Sequence, residues 1–491
     1  MIKSPISAGI SSSALVPRWP ASSLPSPAKD VTDYREQLRV HGALPQRMGD
    51  GWMFEVGMLG DLVKGYYERS LHHRYEGARS DLEEGYFLTN EPDYHSAIDA
   101  IEGKGGAYLG AGPMLSYAYP AWQWAAHAYS MDINTLVPTV AIPLYGTLLA
   151  MSADRFEFLS VLCGKPIPKN EQWAELIDGP TDVLVEFLKR FQRDISFETS
   201  VGNVVRIAMD GYNALYGKSE IADHALVYLR SLREAIESGS PSPHSSIHPL
   251  SILKAKDAKG RGGALSSEAQ LRRERDIFID GRITGVASPM EGSGIAAVAA
   301  DMAKRGIALG VLNVSNVEDW LFEDYEQAQH GGGKFDPEVT ARSVAAFYRN
   351  ILGLPASADA LLISAKGCYP TSVDGLRRYV ANSIPPDAGH DEAARSADLL
   401  YSLRREETRV RRDSLKNKPR LLEEYGGLGP AFRQIFAVMR EGWRGAPLPR
   451  AEAESAFLGK SHHFRNTLTD WERGAVLRVL EDAGMIARGG G

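Results

Sequence analysis

The stretch Gly106-Ala107-Tyr108-Leu109-Gly110-Ala111-Gly112, followed by Met131-Asp132-Ile133, constrains this chain more than any other feature. A short apolar run ending in closely spaced glycines, then a helical interval, then a second apolar run ending in an acid, is the βαβ pattern of a nucleotide-type site. Glycine lets the backbone approach a ligand, and the acid can accept hydrogen bonds from two ribose hydroxyls. Gly112 and Asp132 are 20 residues apart, close to the roughly 20 of such sites. Leu115 stands where the third glycine of a GxGxxG motif would fall, and Pro113 follows Gly112 directly. The turn therefore suits a nucleoside without a pyrophosphate better than a phosphate seated on a helix N-terminus.

Alternation of short apolar strands with helical stretches runs through much of the chain. Strands are expected at 106–110, 127–133, 282–287, 308–314 and 360–365. Gly292-Ser293-Gly294 opens a helix over Ile295–Arg305 that Gly306 ends as a C-cap, and a further helix is expected over about Pro337–Leu352. Between the second and third strands, one long apolar helix is expected from about Val137 to Leu162. The pattern predicts an α/β fold, a Rossmann-like, mostly parallel sheet. Its domain spans 96–366 and carries a helical insertion at about 165–275, which includes the loop SGSPSPHSSIHP. Residues 31–95 read as a helical approach, with Thr89-Asn90-Glu91-Pro92 as a turn and helix-start signal. Residues 1–30, rich in Ser, Pro and Ala, read as a disordered tail. Residues 367–491 read as a helical C-terminal region whose end, Trp471–Arg488, resembles the last helix of a winged-helix module.

Ser315-Asn316-Val317-Glu318 follows the fourth strand, where ligands of open α/β sheets bind. Asn316 could orient a substrate, and Glu318 could act as a base or hold a cationic group; the same residues also read as an N-cap with a capping box. Asp154, Arg155 and Glu157 read as a solvated helix face with an intrahelical pair, or as the rim of the cofactor pocket.

Bulk properties narrow the partners. A net charge of −7 over 491 residues argues against a general nucleic-acid binder. The basic run 404–420 has eight Lys and Arg against three acids and reads first as a solvated helix. No run of ~18 apolar residues is present, so membrane insertion is not expected. Two cysteines, Cys163 and Cys368, make no disulfide framework. The histidines are scattered in pairs without the converging ligands a metal needs, so no metal site is expected. A cytoplasmic location fits, with specialised export through the N-terminal tail as the alternative.

Four blocks, Gly105–Gly112 (GGAYLGAG), Asp132-Ile133, Met151–Ser160 (MSADRFEFLS) and Val314–Leu321 (VSNVEDWL), occur in the order seen in a bacterial family of uncharacterised proteins. Over about residues 85–366 the chain resembles that family, whose Rossmann-like core is similar to S-adenosylmethionine-dependent methyltransferases. The resemblance implies S-adenosylmethionine as cofactor and transfer of a methyl group to a small-molecule or protein acceptor. It implies cofactor contacts at Tyr108, Gly110, Gly112 and Asp132, and an acceptor-facing catalytic pair in Asn316 and Glu318. Ala107 or Tyr108 stands where the family's glycine motif usually begins with an acid. A non-catalytic binding or effector protein on a decayed nucleotide fold, with a protein partner on the insertion or C-terminal region, is the alternative. A nicotinamide-dependent oxidoreductase is the weakest reading, since the third glycine and an obvious Tyr-xxx-Lys pair are lacking.

Overall fold

The computed structural model describes chiefly residues 31–43, 46–48, 51–53, 56–71, 93–216, 222–238, 247–315, 353–364 and 370–372, with isolated positions between them. Asn316, Glu318, Cys368, the tail 1–30, the basic run 404–420 and positions 471–486 lie outside the described residues.

The chain enters through α1 (Val31–His41), a hairpin of β1 (Gln46–Met48) and β2 (Gly51–Met53), and α2 (Val56–Arg69). The hairpin replaces part of the helical run expected there. Gly49-Asp50, the two residues that join its strands, have the composition of a tight hairpin connection. The core then begins with α3 (Ile98–Ile101), β3 (Ala107–Gly110), α4 (Leu115–Gln123) and β4 (His127–Asp132). It resumes with β5 (Ile283–Ala287), α13 (Gly294–Arg305), β6 (Leu309–Ser315), β7 (Ala356–Ser364) and β8 (Pro370–Ser372). Between β4 and β5 the described residues form a helical block, of which three helices matter for the site and its support: α5 (Ile142–Ala150), α6 (Arg155–Cys163) and α12 (Glu268–Ile279); the others are α7 (Trp173–Asp178), α8 (Thr181–Lys189), α9 (Ile195–Tyr216), α10 (Ala222–Ser238), α11 (Pro249–Lys254) and a π-helical turn at Val137–Ala141.

The main sheet has the order β5-β4-β3-β6-β7-β8. The first five strands are parallel, and β8 is antiparallel to β7. Numbered along the chain, the parallel strands run 3-2-1-4-5, the Rossmann order; the fold is α/β and Rossmann-like. Every residue of β3, β4 and β5 is buried, as expected for parallel strands covered on both faces. The antiparallel β8 falls where a helical pattern was expected, because three residues are too few to show a period of two.

The expected helix over 137–162 is broken. Val137–Ala141 forms the π-helical turn, α5 ends at Ala150, and α6 starts afresh at Arg155. Asp154 caps α6, its carboxylate accepting from the Glu157 N–H at 3.0 Å. Glu157 accepts in return from the Ala153 N–H at 2.8 Å. This reciprocal capping offers the backbone a better arrangement than a continued helix. The neighbouring Arg155 is buried rather than solvated. Its guanidinium donates to Asp178 at 2.9 and 3.3 Å, to Glu268 at 3.2 Å and to the Leu265 carbonyl at 3.0 Å. It thereby ties α6, α7 and the start of α12 together.

Helix α12 packs against α4 and α5 and carries a fully buried acid, Glu274. Gln270 Nε2 donates to Glu274 Oε1 at 2.9 Å, while Glu274 Oε2 and the Tyr145 hydroxyl have no hydrogen-bond partner among the described residues. Burial pushes the Glu274 carboxyl up to about 8, against the smaller downward pull of the Gln270 hydrogen bond. Cys163, at the end of α6, is buried as a free thiol, and burial pushes it up to about 12, which makes it a packing residue rather than a nucleophile.

Candidate functional site

The strand order reverses between β3 and β6, which flank each other at the centre of the sheet. In open α/β sheets this switch point opens a crevice beyond the carboxyl ends of the strands. Three of those ends meet here: Gly110 of β3, Asp132 of β4 and Ser315 of β6.

Gly112 lies just past β3 with φ +83°, a left-handed conformation that favours glycine. The turn is held from below: the Ser116 hydroxyl lies 2.6 Å from the Gly112 carbonyl and 3.0 Å from the Ser130 hydroxyl. Asp132 ends β4 almost buried, at 7% exposure. Its Oδ1 accepts from the Asn134 N–H at 2.9 Å, and Asn134 Oδ1 accepts from the Leu136 N–H at 3.0 Å. Two successive Asx turns thus fix the acid at the rim of the crevice. Ile133, beside it, is 38% exposed and offers an apolar surface at the same rim.

Gly110 has a different role from Gly112. A Cβ at Gly110 would meet the Tyr108 hydroxyl, come within 2.7 Å of Tyr108 Cζ and lie 3.0 Å from Asn313 Cβ. The Tyr108 ring lies along its own strand and fills the space that the glycine leaves. Tyr108 is fully buried, and its phenol is pushed well above the usual range by burial. Gly110→Ala is expected to cost about 2 kcal/mol of stability through overpacking. Tyr108→Phe in the same chain should recover part of it. Both shifts are read from urea midpoints. A Gly110→Ala protein of unchanged stability would show that the glycine serves something other than Tyr108.

A second polar chain crosses from β3 to β6 and out to the N-terminal segment. Asn313 Nδ2 donates to the Tyr108 hydroxyl at 3.3 Å, and the Ser315 N–H donates to Asn313 Oδ1 at 3.1 Å. Ser315 has φ +49°, an uncommon conformation for a residue with a side chain. Its hydroxyl donates to Oε1 of Glu91, a residue only 4% exposed. The Glu91 N–H donates in turn to Thr89 Oγ1 at 3.1 Å. The sequence marks Thr89–Glu91 only as a turn and helix start. The 3₁₀ turn Tyr94–Ala97 and α3 do follow, but the carboxylate itself reaches the mouth of the sheet. Nothing local in the sequence could announce a contact between residues 224 positions apart.

Of the residues expected in the site, Gly112 and Asp132 stand at the carboxyl ends of β3 and β4, whereas Tyr108 and Gly110, on β3, pack against each other. Asn316 and Glu318 lie outside the described residues. Among the described residues no group of three or more His, Cys, Asp or Glu converges as metal ligands. His248 instead caps α11, its Nδ1 accepting from the Leu250 N–H at 3.2 Å. His127, on β4, is held neutral: burial pushes it down to about 3, and its Nε2 lies 2.8 Å from Thr284 Oγ1.

The donor set can be tested against the ligand classes of such folds. Segments 110–116, 132–136 and 313–315 contain no Lys or Arg, so these strand ends offer a phosphate no side-chain cation. Asp132 suits ribose hydroxyls, and Ile133 suits the face of a base.

Fold and site together define a Rossmann-like α/β protein with a glycine turn and a nearly buried acid at the strand ends of its switch point. Within it, residues 86–177 match the model of a domain of unknown function, DUF7790. That span holds β3, the glycine turn, α4, β4, α5 and α6. No curated protein matches the chain. No described helix is long and apolar enough to cross a membrane.

Proposed function

We propose that the switch point binds S-adenosylmethionine and that the protein transfers its methyl group to a small-molecule or protein acceptor. The observation that carries this reading is the meeting of the Gly112 turn and the Asx-fixed Asp132 beyond the carboxyl ends of β3 and β4, in segments that carry no Lys or Arg. Asp132 holds the ribose hydroxyls, Ile133 packs on the base, and the Gly112 turn admits the amino-acid tail. When bound, the cofactor supplies an electrophilic methyl group. The chain contributes positioning of the acceptor and exclusion of water. Asn316 and Glu318, which follow β6 directly, orient the acceptor in this scheme. A cytoplasmic site of action fits a cofactor made and used inside cells.

The test is calorimetric titration with S-adenosylmethionine and S-adenosylhomocysteine, with NADH as control. Micromolar binding of the first two is expected. Asp132→Ala should weaken it by roughly 10- to 100-fold, the loss of charge-assisted hydrogen bonds. Asp132→Asn keeps an oxygen for the Asn134 N–H and isolates the effect of charge. Absence of heat with both adenosyl compounds would overturn the assignment.

One observation favours the alternative of a non-catalytic binding protein on a decayed fold: the Tyr108 ring fills the space over Gly110. In that reading adenosyl compounds do not bind, and a protein partner docks on the helical block between β4 and β5 or on the C-terminal region.

A further inference from the structure

We propose that a cleft in the helical block between β4 and β5, built from other elements than the switch point, is a second binding site that takes a small organic carboxylate with a planar apolar body.

The cleft has a volume of about 280 Å³ and is lined by Lys165, Lys189, Phe191, Gln192, Arg193 and Glu237. Three stretches of chain meet there. Lys165 follows Gly164, the left-handed residue that ends α6. Phe191, Gln192 and Arg193 join the end of α8 to the start of α9, and Glu237 stands in the last turn of α10. The volume suits a small molecule: a cavity of about 150 Å³ already accepts benzene.

The wall is built around a buried cation. The Lys165 side chain is 4% exposed. Its Nζ donates to the Leu188 carbonyl at 2.8 Å and lies 3.1 Å from Glu237 Oε1. An ammonium has three donors, so one N–H is left without a partner among the described residues. Arg193 donates to Glu237 through Nε and Nη2, each at 3.1 Å, which leaves Nη1 uncommitted. The fold therefore holds two cationic donors in fixed positions, each with hydrogen-bonding capacity to spare.

The ion pairs around the cleft do not balance. Lys165 and Arg193 share Glu237, while Arg193 and Arg233 share Glu198 at 3.8 and 3.4 Å. Three cations thus face two carboxylates. Arg233 is 7% exposed, so the surplus charge sits in a partly desolvated wall, where an anion is attracted more strongly than in water. Lys189, at the rim, is paired only with the exposed Glu186 on its own helix. The end of α8 carries a partial negative charge, but Lys165 is bonded to its Leu188 carbonyl and the full charge outweighs the partial one. A single surplus charge matches a monoanion better than a phosphate dianion. Phe191, edge-on to Phe187 with centroids 5.1 Å apart, gives the cleft an aromatic face for a planar body.

Four probes separate charge from shape. Benzoate has the ring and the carboxylate, benzamide the ring alone, acetate the carboxylate alone, and inorganic phosphate a larger charge without a ring. Each is titrated into the full chain and followed by ligand-observed NMR. Benzoate is expected to bind at about 1 mM or tighter. Benzamide and acetate should each bind at least roughly 10-fold more weakly, the loss of one charge-assisted contact or of the ring burial. Lys189→Ala, at the exposed rim, should weaken benzoate by about threefold. Phe191→Ala should weaken benzoate and leave acetate unchanged. Unchanged urea midpoints for Lys189→Ala show that its effect is local. Failure of benzoate to bind, equal binding of benzoate and benzamide, tighter binding of phosphate than of benzoate, or a benzoate affinity untouched by both substitutions would overturn the proposal.

Discussion

Glu274→Gln is expected to stabilise the protein by on the order of 3 kcal/mol at pH 7, and by more at pH 8.5. The sign follows from burial. In the fold the Glu274 carboxyl is pushed up to about 8, whereas its ordinary value is 4.5. Between those values the folded state binds a proton that the unfolded chain has released. The contribution of Glu274 is therefore fully present below pH 4.5 and is lost as pH rises through 8. Glutamine fills the same space, accepts from Gln270 through its oxygen and has no proton to lose. Urea midpoints at half-unit steps from pH 5 to 9, for both proteins, give the difference directly. Glu157, pushed up to about 7 by burial, titrates in the same window and leaves a residual slope in both, so the difference belongs to Glu274. Parallel curves would show that the α12 acid is better solvated than its surroundings indicate.

Arg155→Ala is expected to cost about 3 kcal/mol, the lower end of the range for breaking a buried ion pair. The lower end applies because the partners are partly solvated: Asp178 and Glu268 are 44% and 33% exposed, against 7% for Arg155. The loss has three parts, namely the forked bonds to Asp178, the bond to Glu268 and the bond to the Leu265 carbonyl. Arg155→Lys should recover little, since an ammonium cannot span all three. Lys64→Ala, at an exposed pair with Glu68 on α2, is the control and should change stability by less than about 0.5 kcal/mol. A shift below 1 kcal/mol for Arg155→Ala would mean that α6, α7 and α12 are held by apolar packing alone.

These two residues show where sequence reading stops. The strands β3, β4, β5 and β6 were legible because each is a continuous apolar run punctuated by glycine or an acid, the pattern of a strand buried on both faces. The helix α13 and its Gly306 cap, with φ +66°, were legible for the same local reasons. Arg155 looked like one member of a solvated charged group, and only the fold brings Asp178 and Glu268 to it. The restart of α6 was hidden because an apolar run from Val137 to Leu162 reads as one helix; the cap at Asp154 outweighs that periodicity. The spacing placed Gly112 and Asp132 at the ends of β3 and β4, where the fold has them. Glu91 was seen only as a helix-start residue, and the packing of Tyr108 over Gly110 had no signal at all. Both depend on where a side chain turns in three dimensions.

The segment that matches DUF7790 ends at residue 177, and the sheet shows what that boundary leaves behind. β3 is paired on one side to β4 but on the other to β6, and β4 relies on β5 for its outer edge. Both missing neighbours come from beyond residue 280. The Trp122 indole N–H, inside the segment, donates to the Gly262 carbonyl outside it at 2.7 Å. The matched span and the unit of folding therefore differ in this protein. Cut out alone, the matched piece would be a two-stranded parallel ribbon with bare edges, a species prone to self-association. On the ribosome the same piece emerges long before its partners, and it must wait for more than a hundred residues of later chain before its glycine turn has a floor.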